Sequence, residues 1–162
     1  MVPTVQWHEG AVRLLDQSRL PETVTFLDCR DVESVAVAIR ELKVRGAPAI
    51  GVTAAMGVAL GAQAISAAEY ETFAKQLLGI CERLAATRPT AVNLFWAIER
   101  MKQKLSALRG EPIAAIKAAL LKESQAILEE DIALCKAMGR HGAELIQGGQ
   151  TILTHCNAGA LA

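Results

Sequence analysis

The chain has 162 residues, of which 52% are hydrophobic, 21% charged and only 4% aromatic, with 17 basic side chains against 17 acidic ones. That is enough apolar matter for one ordinary domain, or a small domain plus part of another, and it excludes a disordered chain. Neither sign of charge gathers into a block, which argues against a nucleic-acid surface built on clustered Lys and Arg.

Abundant alanine and scarce aromatics predict closely packed helices rather than an aromatic-rich β-sandwich. The opening MVPTVQW lacks the basic and apolar regions of a secretory signal, so the expected location is the cytoplasm. Two short strands, Thr4–Trp7 and Ala11–Leu15, flank His8-Glu9-Gly10, a hairpin turn with Gly where positive φ is needed. A third strand, Thr23–Asp28, follows Pro21. From Asp31 the period becomes helical: Asp31 caps a helix whose apolar stripe is Val32, Val35, Ile39 and Leu42.

Pro48 opens a second helix, running to about Gln63. The apolar stretch from Ala47 to Ile65 carries Pro, Thr, Gln and several Gly, so it reads as a buried helix and not a membrane span. Ser66, with Glu69 three residues on, forms a capping box for a third helix ending near Ala86. Pro89-Thr90 precedes a fourth helix from about Ala91 to Leu108, which Gly110 stops. A long helix then runs from about Pro112 to Ile146, with Gly139 and Gly142 as points where it could break. Gly148-Gly149 is a turn, and Thr151–His155 has the apolar character of a strand inside a parallel sheet. Such a strand needs a sheet to join, so the chain reads as incomplete; the plainer alternative pairs it with the N-terminal strands.

Three segments could carry chemistry. In Arg45-Gly46-Ala47-Pro48-Ala49-Ile50-Gly51, a glycine and a proline-opened helix leave backbone N–H groups free to meet an anion. Arg45 stands ready to add a guanidinium contact. The competing reading is a tight helix–helix connection. Thr87-Arg88-Pro89-Thr90-Ala91-Val92-Asn93-Leu94-Phe95-Trp96 repeats the pattern, and alone it reads as an ordinary capped helix. In Thr154-His155-Cys156-Asn157-Ala158-Gly159-Ala160, a cysteine stands at a strand end before small residues that open a helix. There the helix dipole lowers a thiol pKa. His155 reads as a hydrogen-bonded core histidine. Cys29, Cys81 and Cys135 read as reduced core thiols, and no His or second Cys lies at zinc-ligand spacing from any cysteine.

Taken together, RGAPAIG (Arg45–Gly51), RPTAVNLFW (Arg88–Trp96) and TILTHCNAGALA (Thr151–Ala162) resemble the methylthioribose-1-phosphate isomerase family. Gly139–Ala143 and Val5-Gln6-Trp7 add to the likeness. That family is related to the α, β and δ subunits of translation initiation factor 2B. The resemblance implies an α/β fold: a small N-terminal domain of short strands plus a helix bundle, then the first strand of a Rossmann-like domain mostly missing from this chain. The implied divisions are 1–110 for the strand-plus-helical domain, 111–147 for a connecting helix and 148–162 for the truncated Rossmann-like part.

It also implies an aldose–ketose isomerase converting 5-methylthioribose 1-phosphate to 5-methylthioribulose 1-phosphate in methionine salvage. A homodimer is expected, with no metal, nucleotide cofactor, nucleic acid or membrane. By the same resemblance, Arg45, Gly46, Ala47 and Arg88 hold the substrate phosphate and Cys156 is one of two catalytic groups. The partner aspartate belongs to the missing C-terminal half. None of Asp16, Asp28, Asp31 or Asp131 stands in the matching context. Two other activities compete: a ribose-1,5-bisphosphate isomerase, and a non-catalytic regulatory subunit of the initiation-factor type.

Overall fold

A computed structural model describes residues 3–155, 159 and 161. Three antiparallel strands, β1 (Val5–His8), β2 (Ala11–Leu15) and β3 (Phe26–Cys29), form one sheet in the order β1-β2-β3. The hairpin turn is where the sequence puts it: Glu9 and Gly10 both take positive φ, 48° and 75°, and His8 pairs with Ala11. Two successive left-handed residues give a loop whose twist matches that of the strands it joins. The central strand β2 is buried at Ala11, Val12, Leu14 and Leu15. Its remaining residue, Arg13, faces Asp28 across the ladder and holds it with two hydrogen bonds of 2.6 and 2.8 Å.

Five helices follow: α1 (Val32–Arg40), α2 (Ala47–Ala64), α3 (Tyr70–Ala85), α4 (Val92–Ala107) and α5 (Ile113–Ala143). Asp31 caps α1 as expected: its side chain accepts from the Ser34 amide, and the Asp31 amide donates to the Ser34 hydroxyl oxygen. The helix stops earlier than its apolar stripe suggested. Leu42 takes φ 58° and is exposed rather than continuing the buried face.

Helix α2 is the centre of the fold. It is long and apolar enough to cross a membrane, yet 78% of it is buried inside this structure. Every residue from Ala49 to Ala62 is buried, so the helix is apolar on all sides, as a helix surrounded by others must be. Helices α1, α3, α4 and α5 and the sheet all pack on it. Small residues allow the close approach: a methyl group at Gly57 would meet Val35 at 2.9 Å, and one at Gly61 would meet Ile80 at 2.7 Å.

Two expectations need correction, at the start of α3 and at Thr151–His155. Helix α3 begins at Tyr70 with Glu69 at its cap and no side-chain capping bond, so the Ser66 capping box does not form. Tertiary contacts set that start: the Tyr70 hydroxyl donates to the Leu105 carbonyl, and the Lys117 ammonium ties down the carbonyls of Gln63 and Ile65 at the end of α2. Helix α5 is the one long helix expected, continuous through Gly139 and Gly142. Thr151–His155 joins no sheet among the described residues. Its side chains lie exposed, Leu153 at 96%, because no strand edge stands beside it.

Helix α5 has two characters. Ile116, Leu120, Ser124 and Ile127 form a buried stripe along its first half. Past that point Ile132, Leu134 and Met138 are all exposed.

Candidate functional site

Two of the three sequence motifs meet. Gly46 takes φ 92°, a left-handed conformation that glycine adopts without strain, and Pro48 lies in the first turn of the α2 helix it precedes. No side chain caps that helix start. Helix α4 begins in the same way after Pro89, with Ala91 at the cap position and again no side-chain cap. Uncapped helix starts leave amide donors and the positive end of the helix dipole available to an anion.

The two helices touch without a side chain between them, since a methyl group at Gly51 would stand 2.8 Å from the Asn93 carbonyl oxygen. Beside that contact lies a cavity of about 430 Å³. Pro48, Gly51 and Val52 line it from the first motif, and Val92, Asn93 and Trp96 from the second. The remaining wall comes from α5: Ile127, Glu130, Asp131 and Leu134.

The electrostatics of that wall are set by one arginine. Arg100 donates to Glu123 at 2.7 Å and grips both carboxylate oxygens of Glu130. Its guanidinium also lies 5.7 Å from the centre of the Trp96 ring. Glu130 is held below the usual carboxylate range by these Arg100 hydrogen bonds. Burial pushes Glu123 upward, but hydrogen bonds from Arg100 and Lys104 outweigh it and leave the carboxyl lowered. Asp131 has no such cation, and burial raises its pKa.

The phosphate-binding candidates are only partly assembled. Arg45 is exposed and its Nε donates to the Leu42 carbonyl at 3.2 Å, bracing the loop before α2. Gly46 is half-buried and Ala47 exposed at the helix start. Arg88 is half-buried immediately before Pro89 and makes no ion pair among the described residues. Neither arginine lines the cavity.

Leu161 is held near the first motif. The Gln17 side chain donates to the Leu161 carbonyl at 2.8 Å. Its backbone amide donates to the carbonyl of Lys43, two residues before Arg45. Cys156 lies outside the described residues, as do Asn157, Ala158, Ala160 and Ala162. His155 is exposed, which corrects its reading as a core histidine. Cys29 and Cys81 are buried thiols, and burial pushes Cys81 up to about 11. Cys135 is exposed on α5 and is no core residue. Among the described residues no three His, Cys, Asp or Glu side chains cluster as metal ligands would.

Sequence reasoning missed the α5 wall. Positions 127, 130, 131 and 134 share one helical face, but that face mixes two aliphatics with two carboxylates and so breaks the apolar stripe that periodicity would detect.

The profile of the Initiation factor 2 subunit family (IF-2B) matches residues 43–162. The chain belongs to this family. Within the Initiation factor 2 subunit family its curated relatives include methylthioribose-1-phosphate isomerases. The protein of that name from Trichlorobacter lovleyi is 57% identical over 159 residues, covering 98% of this chain and 46% of the relative. That from Syntrophotalea carbinolica is 55% identical over 161 residues, covering 99% and 47%. The crystal structure of 5-methylthioribose 1-phosphate isomerase from Pyrococcus horikoshii OT3 matches with TM-score 0.92 and 41% identity, covering 99% of this chain and 45% of that one. The translation initiation factor eIF-2B delta subunit from A. fulgidus matches with TM-score 0.87, also at 41% identity, covering 99% and 46%. The chain thus spans about half the length of the relatives it matches.

Proposed function

We propose that this chain is part of an aldose–ketose isomerase that converts 5-methylthioribose 1-phosphate to 5-methylthioribulose 1-phosphate, a step of methionine salvage. The observation that carries the reading is the meeting of the RGAPAIG and RPTAVNLFW segments at one cavity, in a chain more than half identical to proteins named for that isomerase.

In this reading the substrate phosphate sits at the uncapped starts of α2 and α4, where Gly46 and Ala47 present backbone amides and Arg45 and Arg88 supply charge. A phosphorylated anomeric carbon cannot open its ring as a free sugar does. One group must assist ring opening, and hydrogen must then move between C1 and C2. Cys156 acts as one member of an acid–base pair. The other member is an aspartate outside these 162 residues, in a Rossmann-like unit that residues 148–162 begin. The working protein is a cytoplasmic homodimer needing neither metal nor nucleotide.

The test is an isomerisation assay on the protein expressed from its native reading frame. Cys156→Ser abolishes turnover and leaves substrate binding intact; unchanged turnover refutes the catalytic assignment. Arg88→Ala weakens binding of the phosphorylated sugar at least tenfold, the scale of one lost charged contact.

The likeness to the eIF-2B delta subunit supports a second reading, a non-catalytic regulatory subunit. Under it the protein binds a phosphorylated metabolite or a protein partner with no turnover, and Cys156→Ser changes nothing.

A further inference from the structure

A short turn, Gln17–Arg19, joins the second strand to the third, and it is exposed at Ser18 and Arg19. Gln17 is the exception, at 7% exposure. Burying a long amide side chain costs freedom and hydration, so it is stable only where its polar atoms are met. The turn is fixed locally by Asp16, itself buried, which accepts from the backbone amide and the hydroxyl of Ser18. The Asp16 amide in turn donates to the Thr25 carbonyl.

From this fixed position Gln17 makes two bonds to distant parts of the chain. Its backbone amide donates to the Lys43 carbonyl at 2.9 Å. Its side-chain Nε2 donates to the Leu161 carbonyl at 2.8 Å, across 144 residues of sequence. The Lys43 loop is closely specified as well: Leu42 takes φ 58°, its carbonyl accepts from Arg45, and Val44 is fully buried. Lys43 stands two residues before Arg45, at most about 7 Å of chain, and Leu161 stands five residues after Cys156, at most about 18 Å.

Resting on the isomerase reading above, we infer that Gln17 is a positioning residue for that reaction, clamping the turn that follows Cys156 to the loop that carries Arg45. The phosphate grip and the acid–base group belong to segments far apart in sequence, yet they must act on one small sugar. A misplacement of about 1 Å between such groups can cost about a hundredfold in rate. The two bonds of Gln17 differ in kind. Substituting the side chain keeps the amide bond to Lys43 and removes only the bond to Leu161. The phosphate loop therefore stays in place, and the loss falls on turnover rather than on binding.

The experiment measures kcat and KM for 5-methylthioribose 1-phosphate with the protein expressed from its native reading frame. Four forms are compared: wild type, Gln17→Met, Gln17→Asn and Ser18→Ala. Methionine fills the same space without a donor. Asparagine keeps an amide in the turn but is one methylene shorter, and it carries the test where Gln17→Met folds poorly. Ser18→Ala removes a bond within the same turn and none to Leu161, so it is the control. Thermal melting is recorded for all four.

Both Gln17 variants should lower kcat by about tenfold or more and leave KM within about twofold. Ser18→Ala should leave both parameters unchanged. Wild-type kcat in the Gln17 variants, a change confined to KM, or a loss of kcat that follows the melting temperature across all forms would each refute the positioning role and leave the isomerase reading standing. If the wild type does not isomerise the sugar, both fall.

Discussion

Gly51 and Asn93 bring helices α2 and α4 into backbone contact, with only a hydrogen atom on Gly51 standing between the Cα and the Asn93 carbonyl. Both residues also line the cavity beside that contact.

Gly51→Ala therefore has nowhere to put its methyl group, because the obstructing atom is backbone and cannot rotate away. Urea unfolding should show a loss of about 1–3 kcal/mol, the usual cost of overpacking. Gly79 makes the control. It lies exposed within α3 with no atom near its would-be Cβ, so Gly79→Ala should stabilise by about 0.5–1 kcal/mol. Equal effects at the two positions would refute the close-contact argument.

Arg100 fastens α4 to α5 through Glu123 and Glu130 and backs the Trp96 ring. Arg100→Ala leaves the largely buried Glu123 with only Lys104, and should cost about 2 kcal/mol, the scale of hydrogen bonds to charged groups. Arg100→Lys keeps the charge but loses the fork that grips Glu130, so it should recover only part of the loss. Trp96 fluorescence should shift in both variants as the ring loses its cover.

Asp131 supplies a pH signature of opposite sign to most carboxylates. Its pKa is raised in the folded protein because burial disfavours the charge, so the folded state tolerates it best when protonated. The penalty is absent below 3.8, the ordinary value, and grows as pH rises through the folded value. Asp131→Asn should thus raise the melting temperature at pH 7, with the gain vanishing in acid. A gain that persists below 3.8 would point to some cause other than ionisation.

Asp31 runs the other way. Hydrogen bonds from Ser34 hold its carboxyl below 3.8, so the cap stabilises α1 above that pH and fades as pH falls through the folded value. Asp31→Ala should cost about 1 kcal/mol at neutral pH. Its thermal melting curve should converge on that of the wild type in acid, while Asp31→Asn retains most of the cap throughout.

Local signals were the legible ones. The Glu9-Gly10 turn, the Asp31 cap and the proline-opened start of α2 each depend on a few adjacent residues, and each stands as read. Features set by distant partners were not legible. Nothing near Ser66 announces that Tyr70 reaches Leu105 and moves the start of α3. The apolar run at Thr151–His155 has the composition of a strand but no neighbour to pair with. At the site, the two arginine-led segments were recognisable as motifs, and their meeting needed the packing of α2 on α4. The acidic face of α5 carried no motif at all, because its role comes only from standing opposite Trp96 and Val52.

Helix α5 spans 31 residues, about 45 Å, and it parts from the body of the protein just after Ile127, where Glu130, Asp131 and Leu134 form the cavity wall. The cavity wall is therefore only half fixed by the core: Ile127 is buried, whereas Glu130 and Leu134 lie exposed among the described residues.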